Sequence, residues 1–246
     1  GADPHRQLAR PMVGIGMSCA LHAPGGDLSG WTLDPAHGEL AWTGQAVLQL
    51  QAGWSCEVDA TGAGVLLSPP ASDAASYQAH RLGRVSGMTR FTSLTRFSPF
   101  WTRPAVGWHE EDVCPETLWL LAQTGPGHFT LLVPLLDAVT RCALSAQADA
   151  LLVVAETGDP AVACGQGPAV WVGQGADPYA LVAVAAKAVS AQVGVGRLRV
   201  DKAVPEYIDA LGWCTWDAFY KDVTPDKLLQ GLESLRKAGT SPRWVI

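Results

Sequence analysis

Short apolar runs, separated by turn residues at close spacing, dominate the chain from Glu39 to about residue 175. Two of them, 118–121 and 128–133, lie on either side of a Gly-Pro-Gly sequence at 125–127, as the two arms of a hairpin do. Spacing of this kind is typical of antiparallel strands, and it predicts an antiparallel β-sandwich over residues 39–175. The clearest runs are 40–42, 46–50, 64–67, 90–101, 118–121, 128–133, 141–144, 151–155 and 169–173.

The stretch before this region differs in composition and in hydrophobic pattern. Residues 1–38 are rich in Gly, Pro and His and show no sustained hydrophobic period. We expect them to form a loose N-terminal arm. They contain no apolar core followed by a cleavage site, so no signal peptide is predicted.

Helical periodicity begins only after the β-rich region. Asp177 can cap a helix, Pro178 suits its first turn, and apolar residues continue to about Val193. Gly194, Gly196 and Pro205 then interrupt the pattern. Residues 176–207 are therefore predicted to be a helix followed by a linker.

The last part of the chain, 208–246, reads as strand, helix, strand. An apolar run from Ile208 to Trp216 is followed by Thr224-Pro225, which suits the cap and first turn of a helix. The helix carries an apolar stripe, and Gly239 lies just past its basic last turn. A new strand begins at Trp244. This β-α-β pattern implies parallel pairing, in an open sheet or a barrel. The chain ends inside that strand, so we expect a natural protein that continues beyond Ile246. The leucines of the stripe are Leu228, Leu229, Leu232 and Leu235.

Composition and charge exclude several classes of partner. Hydrophobic residues make up 48% of the chain and charged residues 16%, so a sizeable core can form. The formal net charge is -6, and no basic cluster offers a binding surface for nucleic acid or an anionic membrane. The longest apolar stretch, Leu181 to Val195, is too short for a membrane span and contains Lys187. We therefore expect neither nucleic acid nor a membrane as a partner.

The cysteines are spread along the chain without a C-x-x-C pair or a nearby histidine cluster. No metal site is predicted from them, and no cofactor motif is present. A chain of this length does not need disulfides for stability, so we interpret the cysteines mainly as buried thiols in a reducing compartment. The expected location is the cytoplasm, with a plastid as the alternative. The cysteines are Cys19, Cys56, Cys114, Cys142, Cys164 and Cys214.

The densest chemical signal is the sequence Gly-Trp-Cys-Thr-Trp-Asp-Ala-Phe-Tyr at 212–220. Four aromatic residues and one carboxylate lie where a predicted parallel strand runs into its loop. An indole ring can stack on the C–H face of a sugar while a carboxylate accepts hydrogen bonds from its hydroxyl groups. The alternative is that Trp213 and Trp216 are core residues and that Asp217 caps the loop.

The sequence at 212–220 resembles the raffinose synthase, seed imbibition protein and alkaline α-galactosidase family, related to glycoside hydrolase family 36. Lys221 departs from the family pattern, which usually has Thr there, and Phe100 replaces one Trp of an aromatic region. The resemblance covers about 39–246. Further matching residues are Glu39-Leu40, Gly44, Ala46-Val47-Leu48, Arg90-Phe91, Arg96-Phe97, Phe100-Trp101, Glu116-Thr117, Leu132 to Asp137, Glu156 to Asp159, Gly175 to Tyr179, Gln230 to Leu235, Lys237 to Gly239 and Pro242 to Ile246.

The resemblance implies a β + α/β protein whose β-sandwich is followed by the first β-α-β unit of a truncated (β/α)8 TIM barrel. It implies retaining α-galactosyl chemistry with two carboxylates that lie beyond Ile246, so no catalytic residue is expected within this chain. Trp216 is expected to face the galactose ring, with Asp217 as a second substrate-binding residue. Trp213 is expected to pack inside the fold.

The function implied by the resemblance is that of a galactinol–sucrose galactosyltransferase, or raffinose synthase. Its partners would be small sugars, namely galactinol, sucrose and raffinose-type oligosaccharides. An alkaline α-galactosidase, which passes the same galactosyl group to water, is the first alternative. A non-catalytic carbohydrate-binding β-sandwich is the second, and the predicted β-α-β unit at 208–246 speaks against it.

Overall fold

A computed structural model describes residues 30–34 and 36–246 of the chain. Most of the predicted N-terminal arm, residues 1–29, and Cys19 with it, lie outside the described residues. Trp31–Asp34 is a strand, so regular structure begins inside the stretch 1–38, where none was expected. The described part divides at Gly196 into two compact units, here called the β unit (up to Gly196) and the β-α-β unit (Arg197–Ile246).

The β unit is built on one antiparallel sheet, which in the described residues has thirteen strands. Across the sheet the order is β1-β2-β3-β6-β12-β11-β9-β10-β13-β5-β4, and β7 pairs with both β8 and β9. This confirms the predicted antiparallel β architecture. In chain order the strands are β1 (Trp31–Asp34), β2 (Glu39–Trp42), β3 (Gln45–Leu50), β4 (Ser55–Val58), β5 (Val65–Ser68), β6 (Tyr77–Val85), β7 (Arg90–Ser98), β8 (Trp101–Gly107), β9 (Thr117–Gly125), β10 (His128–Pro134), β11 (Arg141–Gln147), β12 (Ala150–Glu156) and β13 (Val170–Gly175).

The predicted sandwich of two sheets is a single sheet that closes over one core. Leu48 of β3, Leu144 of β11 and Val172 of β13 come from distant positions in the strand order, yet all are fully buried in the same hydrophobic cluster. The two halves of the sheet are joined where β11 meets β9, at the pair Leu144 and Thr117. Burying apolar side chains from both halves is what holds the halves together.

A helix covers the outer face of the sheet at β10 and β13. Helix α1 (Pro178–Val193) begins at Asp177, whose side chain accepts from the backbone N–H groups of Tyr179 and Ala180. Leu181 of this helix packs with Trp171 in a second hydrophobic cluster. The predicted cap and first-turn proline are confirmed.

A network of ion pairs links three strands of the β unit to Glu116, the residue before β9. Glu116 accepts hydrogen bonds from Arg96 (2.7 Å from Nη2) and from Arg141 (2.9 Å from Nη1), and Arg141 also pairs with Glu156. Burial alone would raise the pKa of Glu116, but the hydrogen bonds from Arg141 and Arg96 outweigh it and hold that pKa below its ordinary value. The network ties β7, β11 and β12 to the start of β9.

The β-α-β unit has the predicted strand, helix and parallel strand. Strand β14 (Gly212–Trp213) pairs in parallel with β15 (Trp244–Val245). Between them lie a short helix α2 (Trp216–Phe219) and helix α3 (Pro225–Lys237). Thr224 caps α3 by accepting from the backbone N–H of Lys227, as predicted.

Candidate functional site

The ends of β14 and β15 define the candidate site in the β-α-β unit. Thr215 donates to the carbonyl of Ile246 through both its backbone N–H and its hydroxyl, each at 2.9 Å. The N–H of Ile246 in turn donates to the carbonyl of Trp213 at 3.0 Å. Because parallel strands end at the same edge, these bonds bring the motif at 212–220 to the carboxyl ends of both strands. In open and closed parallel α/β folds, this edge is where ligand sites are built.

Trp216 is presented to solvent at this edge. Its side chain is 57% exposed, and its ring meets that of Tyr220 edge to face with centroids 5.7 Å apart. The strand predicted to run from Ile208 to Trp216 is shorter in the structure. It covers only Gly212 and Trp213, and Trp216 begins α2 because Thr215 already has helical backbone angles.

Asp217 follows Trp216 on α2 and is exposed. Among the described residues it has no hydrogen-bond or ion-pair partner, so it does not cap the loop as the alternative interpretation required. The residue before the helix is Thr215, which makes no side-chain cap either. The Asp217 carboxylate therefore keeps its acceptor oxygens open to a ligand.

Trp213 lies inward, as expected for a packing residue. It is half-buried, and its ring contacts Phe219 edge to face at 5.9 Å. It also lies against Gly231 of α3, where an added Cβ would come within 2.2 Å of the Trp213 ring. Gly231 has no side chain, and the Trp213 indole packs in the space that this leaves on α3.

Tyr220 was not singled out by the sequence reasoning. It is 57% exposed beside Trp216, with an unusual backbone conformation at φ 47° and ψ -127°. Its place four residues after Trp216, directly beyond a one-turn helix, is the signal that could have found it. Together, Trp216, Asp217 and Tyr220 present two aromatic rings and one carboxylate to solvent.

Three tryptophans of the β unit are buried in its interior. Trp31, Trp54 and Trp171 are nearly inaccessible, and the Trp171 indole donates to Asp59 at 2.8 Å. Trp108 differs, since its side chain is 58% exposed on the β unit. Strand β8, which leads into Trp108, is likewise exposed along most of its length.

Within residues 30–34 and 36–246, no group of three or more His, Cys, Asp or Glu side chains is arranged to hold a metal ion. No helix in this part of the chain is long and apolar enough to cross a membrane.

Cys142 and Cys164 are buried thiols, and burial raises the pKa of Cys142 to about 12. Cys214, inside the motif, is exposed.

The architecture and the motif together define a class of protein. An antiparallel β unit precedes a parallel β-α-β unit, and aromatic rings and a carboxylate meet at the carboxyl end of its strands. The family model described as "Raffinose synthase or seed imbibition protein Sip1" matches residues 46–246. The chain belongs to this family.

Curated relatives agree with this assignment. The chain is 34% identical over 204 residues to a galactinol–sucrose galactosyltransferase of Oryza sativa subsp. japonica, covering 77% of this chain and 26% of the relative. It is 30% identical over 195 residues to a probable galactinol–sucrose galactosyltransferase 1 of Arabidopsis thaliana, covering 74% of this chain and 26% of the relative. A stachyose synthase of Pisum sativum is 31% identical over 159 residues, with 63% of this chain and 19% of the relative covered.

The chain thus spans about a quarter or less of the length of these relatives. Among solved structures, an α-galactosidase from Thermus thermophilus aligns with 78% of this chain and 35% of its own. Its TM-score is 0.35 at 16% sequence identity, which is too loose a likeness to place individual residues.

Proposed function

We propose that this chain is the amino-terminal part of a retaining galactosyltransferase that moves galactose from galactinol to sucrose. The observation that carries the proposal is the family match across 46–246, which includes the whole motif at 212–220. The names of the relatives in rice and Arabidopsis supply the donor and the acceptor.

The exposed residues of the motif suit a role in holding the sugar. Galactose has an apolar face of C–H groups and a rim of hydroxyls. The exposed Trp216 ring can stack on the face, while the unpartnered Asp217 carboxylate accepts from hydroxyl groups. The edge-to-face contact with Tyr220 restricts the Trp216 ring before a ligand arrives, which lowers the entropic cost of binding.

The β-α-β unit is proposed as the first unit of a (β/α)8 barrel. The parallel pairing of β14 and β15 and the helix between them support this, because a barrel repeats that unit. Helix α3 has no buried residue, and Leu229 on its apolar stripe is 64% exposed. In a barrel, such a stripe packs against the strands and the neighbouring helices.

The bond-making residues are proposed to lie beyond Ile246. In the retaining mechanism, one carboxylate attacks the anomeric carbon as an acid protonates the leaving oxygen. The acceptor hydroxyl then displaces that carboxylate while the same acid, now a base, takes its proton. If water replaces the sucrose hydroxyl in the second step, the reaction becomes hydrolysis. Trp216 and Asp217 would orient the galactosyl group through both steps.

The full-length protein that contains this chain should be incubated with galactinol, with and without sucrose, and the products separated by chromatography. The proposal predicts raffinose and free inositol when sucrose is present, and little free galactose. Free galactose at the same rate with or without sucrose would show an α-galactosidase instead. No turnover of galactinol by the folded protein would leave the carbohydrate-binding alternative.

The proposed location is a reducing compartment, the cytoplasm or a plastid. Cys142 and Cys164 are buried as thiols, which suits such a compartment. Fluorescence imaging of the tagged full-length protein would test this, and a secretory pattern would contradict it.

A further inference from the structure

A second candidate site lies in the β unit, on residues that the proposed galactosyl chemistry does not use. A cavity of about 320 Å³ opens between the turn that joins β6 to β7 and the 3-10 helix Glu110–Asp112. This volume lies at the lower end of the range found for small-ligand pockets. The side chains that bear on its chemistry are Gln49, Arg84, Trp108, His109 and Glu110.

Trp108 lines this cavity, and its backbone is held by Asp112. Its backbone N–H and that of His109 both donate to one carboxylate oxygen of Asp112, at 2.8 and 3.0 Å. Gly107 allows the close packing that this requires, since an added Cβ there would lie 2.5 Å from both Asp112 and the Phe91 ring. The backbone at Trp108 is therefore fixed while 58% of the side chain remains open to solvent.

Glu110 supplies an acceptor from the wall of the cavity. The residue is only 6% exposed, and one of its carboxylate oxygens accepts from the backbone N–H of Val85 at 3.0 Å. Among the described residues no donor pairs with its other oxygen. A buried carboxylate in this state gains from any ligand hydroxyl that can donate to it.

Arg84 supplies donors and balances the charge. One of its terminal nitrogens lies 3.4 Å from Asp149, and the side chain is 57% exposed, so further N–H groups remain free to donate. With one guanidinium and one buried carboxylate, the cavity favours neither a strongly anionic nor a strongly cationic ligand. A neutral ligand rich in hydroxyl groups can accept from Arg84 and donate to Glu110, and its C–H face can stack on Trp108.

We propose that this cavity is a secondary sugar-binding site of the β unit, taking one neutral saccharide residue stacked on Trp108. The site uses other residues than the motif at 212–220, so it does not depend on the proposed transferase activity.

The test is an NMR titration of the 246-residue chain with raffinose, following the tryptophan indole N–H signals. The proposal predicts saturable binding that shifts the Trp108 signal, identified by its loss in Trp108→Ala. That variant should weaken the affinity about tenfold or more, the loss expected when an aromatic stacking partner is removed. Arg84→Gln should weaken binding as well, by a smaller factor.

A matched variant separates this site from other exposed tryptophans. Trp101→Ala removes an exposed indole of the same unit that does not line the cavity, and it should bind raffinose as the unaltered chain does. Absence of saturable binding, or equal affinity in Trp108→Ala, would overturn the proposal. So would a loss of binding in Trp101→Ala as large as that in Trp108→Ala.

Discussion

At the scale of single residues, two tryptophans of one short motif have opposite orientations. Trp213 turns inward against Phe219 and Gly231, whereas Trp216 turns outward beside Tyr220. The sequence pattern predicted that both rings lie at the end of a strand. Spacing alone does not show which ring is buried and which is exposed. Their orientation is set by Thr215, whose two bonds to Ile246 end the extended backbone between them.

Replacement of Trp216 should affect turnover far more than stability. In the full-length enzyme, Trp216→Ala removes a ring proposed to stack on galactose, a contact of about 1–3 kcal/mol. This corresponds to a loss of about tenfold to a hundredfold in kcat/KM for galactinol. Because the side chain is mostly exposed, the melting temperature should change little. Normal turnover in a folded Trp216→Ala enzyme would show that the ring does not touch the substrate.

Replacement of Trp213 should do the reverse. Trp213→Ala leaves a cavity between Phe219 and Gly231, but the ring is only half-buried. We therefore expect a cost of about 1–3 kcal/mol, below that of a fully buried tryptophan. Thermal melts of the full-length protein check this, with Trp213→Phe as a milder variant. An unchanged melting temperature together with lost activity would show that Trp213 binds substrate and does not stabilise the fold.

At the scale of secondary structure, alternation and turn signals predicted most strands, and the failures have identifiable causes. Strand β6 was missed because its inward positions include Gln78 and His80, polar residues that mask the alternation. Residues 208–211 were predicted to belong to a strand, yet they form turns in which the N–H groups of Ile208 and Ala210 donate to carbonyls three positions earlier. Local hydrophobicity does not reveal which runs find a partner strand.

The four-residue ion-pair network predicts a pH-dependent contribution to stability. Replacing Glu116 with Gln should cost the β unit about 1–2 kcal/mol at neutral pH, between the values for exposed and buried pairs. Since the folded-state pKa of Glu116 is lowered, its stabilisation is fully present above the unfolded-state pKa of about 4.3. It is lost as the pH falls through the lower folded-state value.

Denaturant titrations at several pH values would measure this difference. The gap between the unaltered chain and Glu116→Gln should be widest near neutrality and should close below about pH 4. Glu111→Gln, which changes an exposed residue, should show no such gap. A gap for Glu116→Gln that persists unchanged in acid would contradict the ionic origin.

The N-cap residue Asp177 contributes to the stability of helix α1. Asp177→Ala removes the acceptor for two backbone N–H groups and should destabilise the β unit by about 1 kcal/mol. Asp177→Asn keeps a capping oxygen and should recover most of that loss. Equal destabilisation by Ala and Asn would mean that the charge of Asp177, and not its capping bond, stabilises the helix.

At the scale of the whole molecule, the chain supplies one edge of a proposed active site. The motif residues stand at the carboxyl end of two parallel strands, but the part of the chain that aligns with the relatives spans only about a quarter or less of their length. The motif at 212–220 was enough to predict the family, whereas the residues that make and break bonds are proposed to lie on later strands. No spacing within 246 residues could reveal their positions.

The most direct test compares the 246-residue chain with the full-length protein, each mixed with galactinol and sucrose and followed by proton NMR of the anomeric signals. The account predicts no turnover by the 246-residue chain. The full-length protein should build up a new α-anomeric signal, because retaining chemistry keeps the configuration of the donor. A β-anomeric first product, or galactosyl transfer by the 246-residue chain alone, would contradict the account.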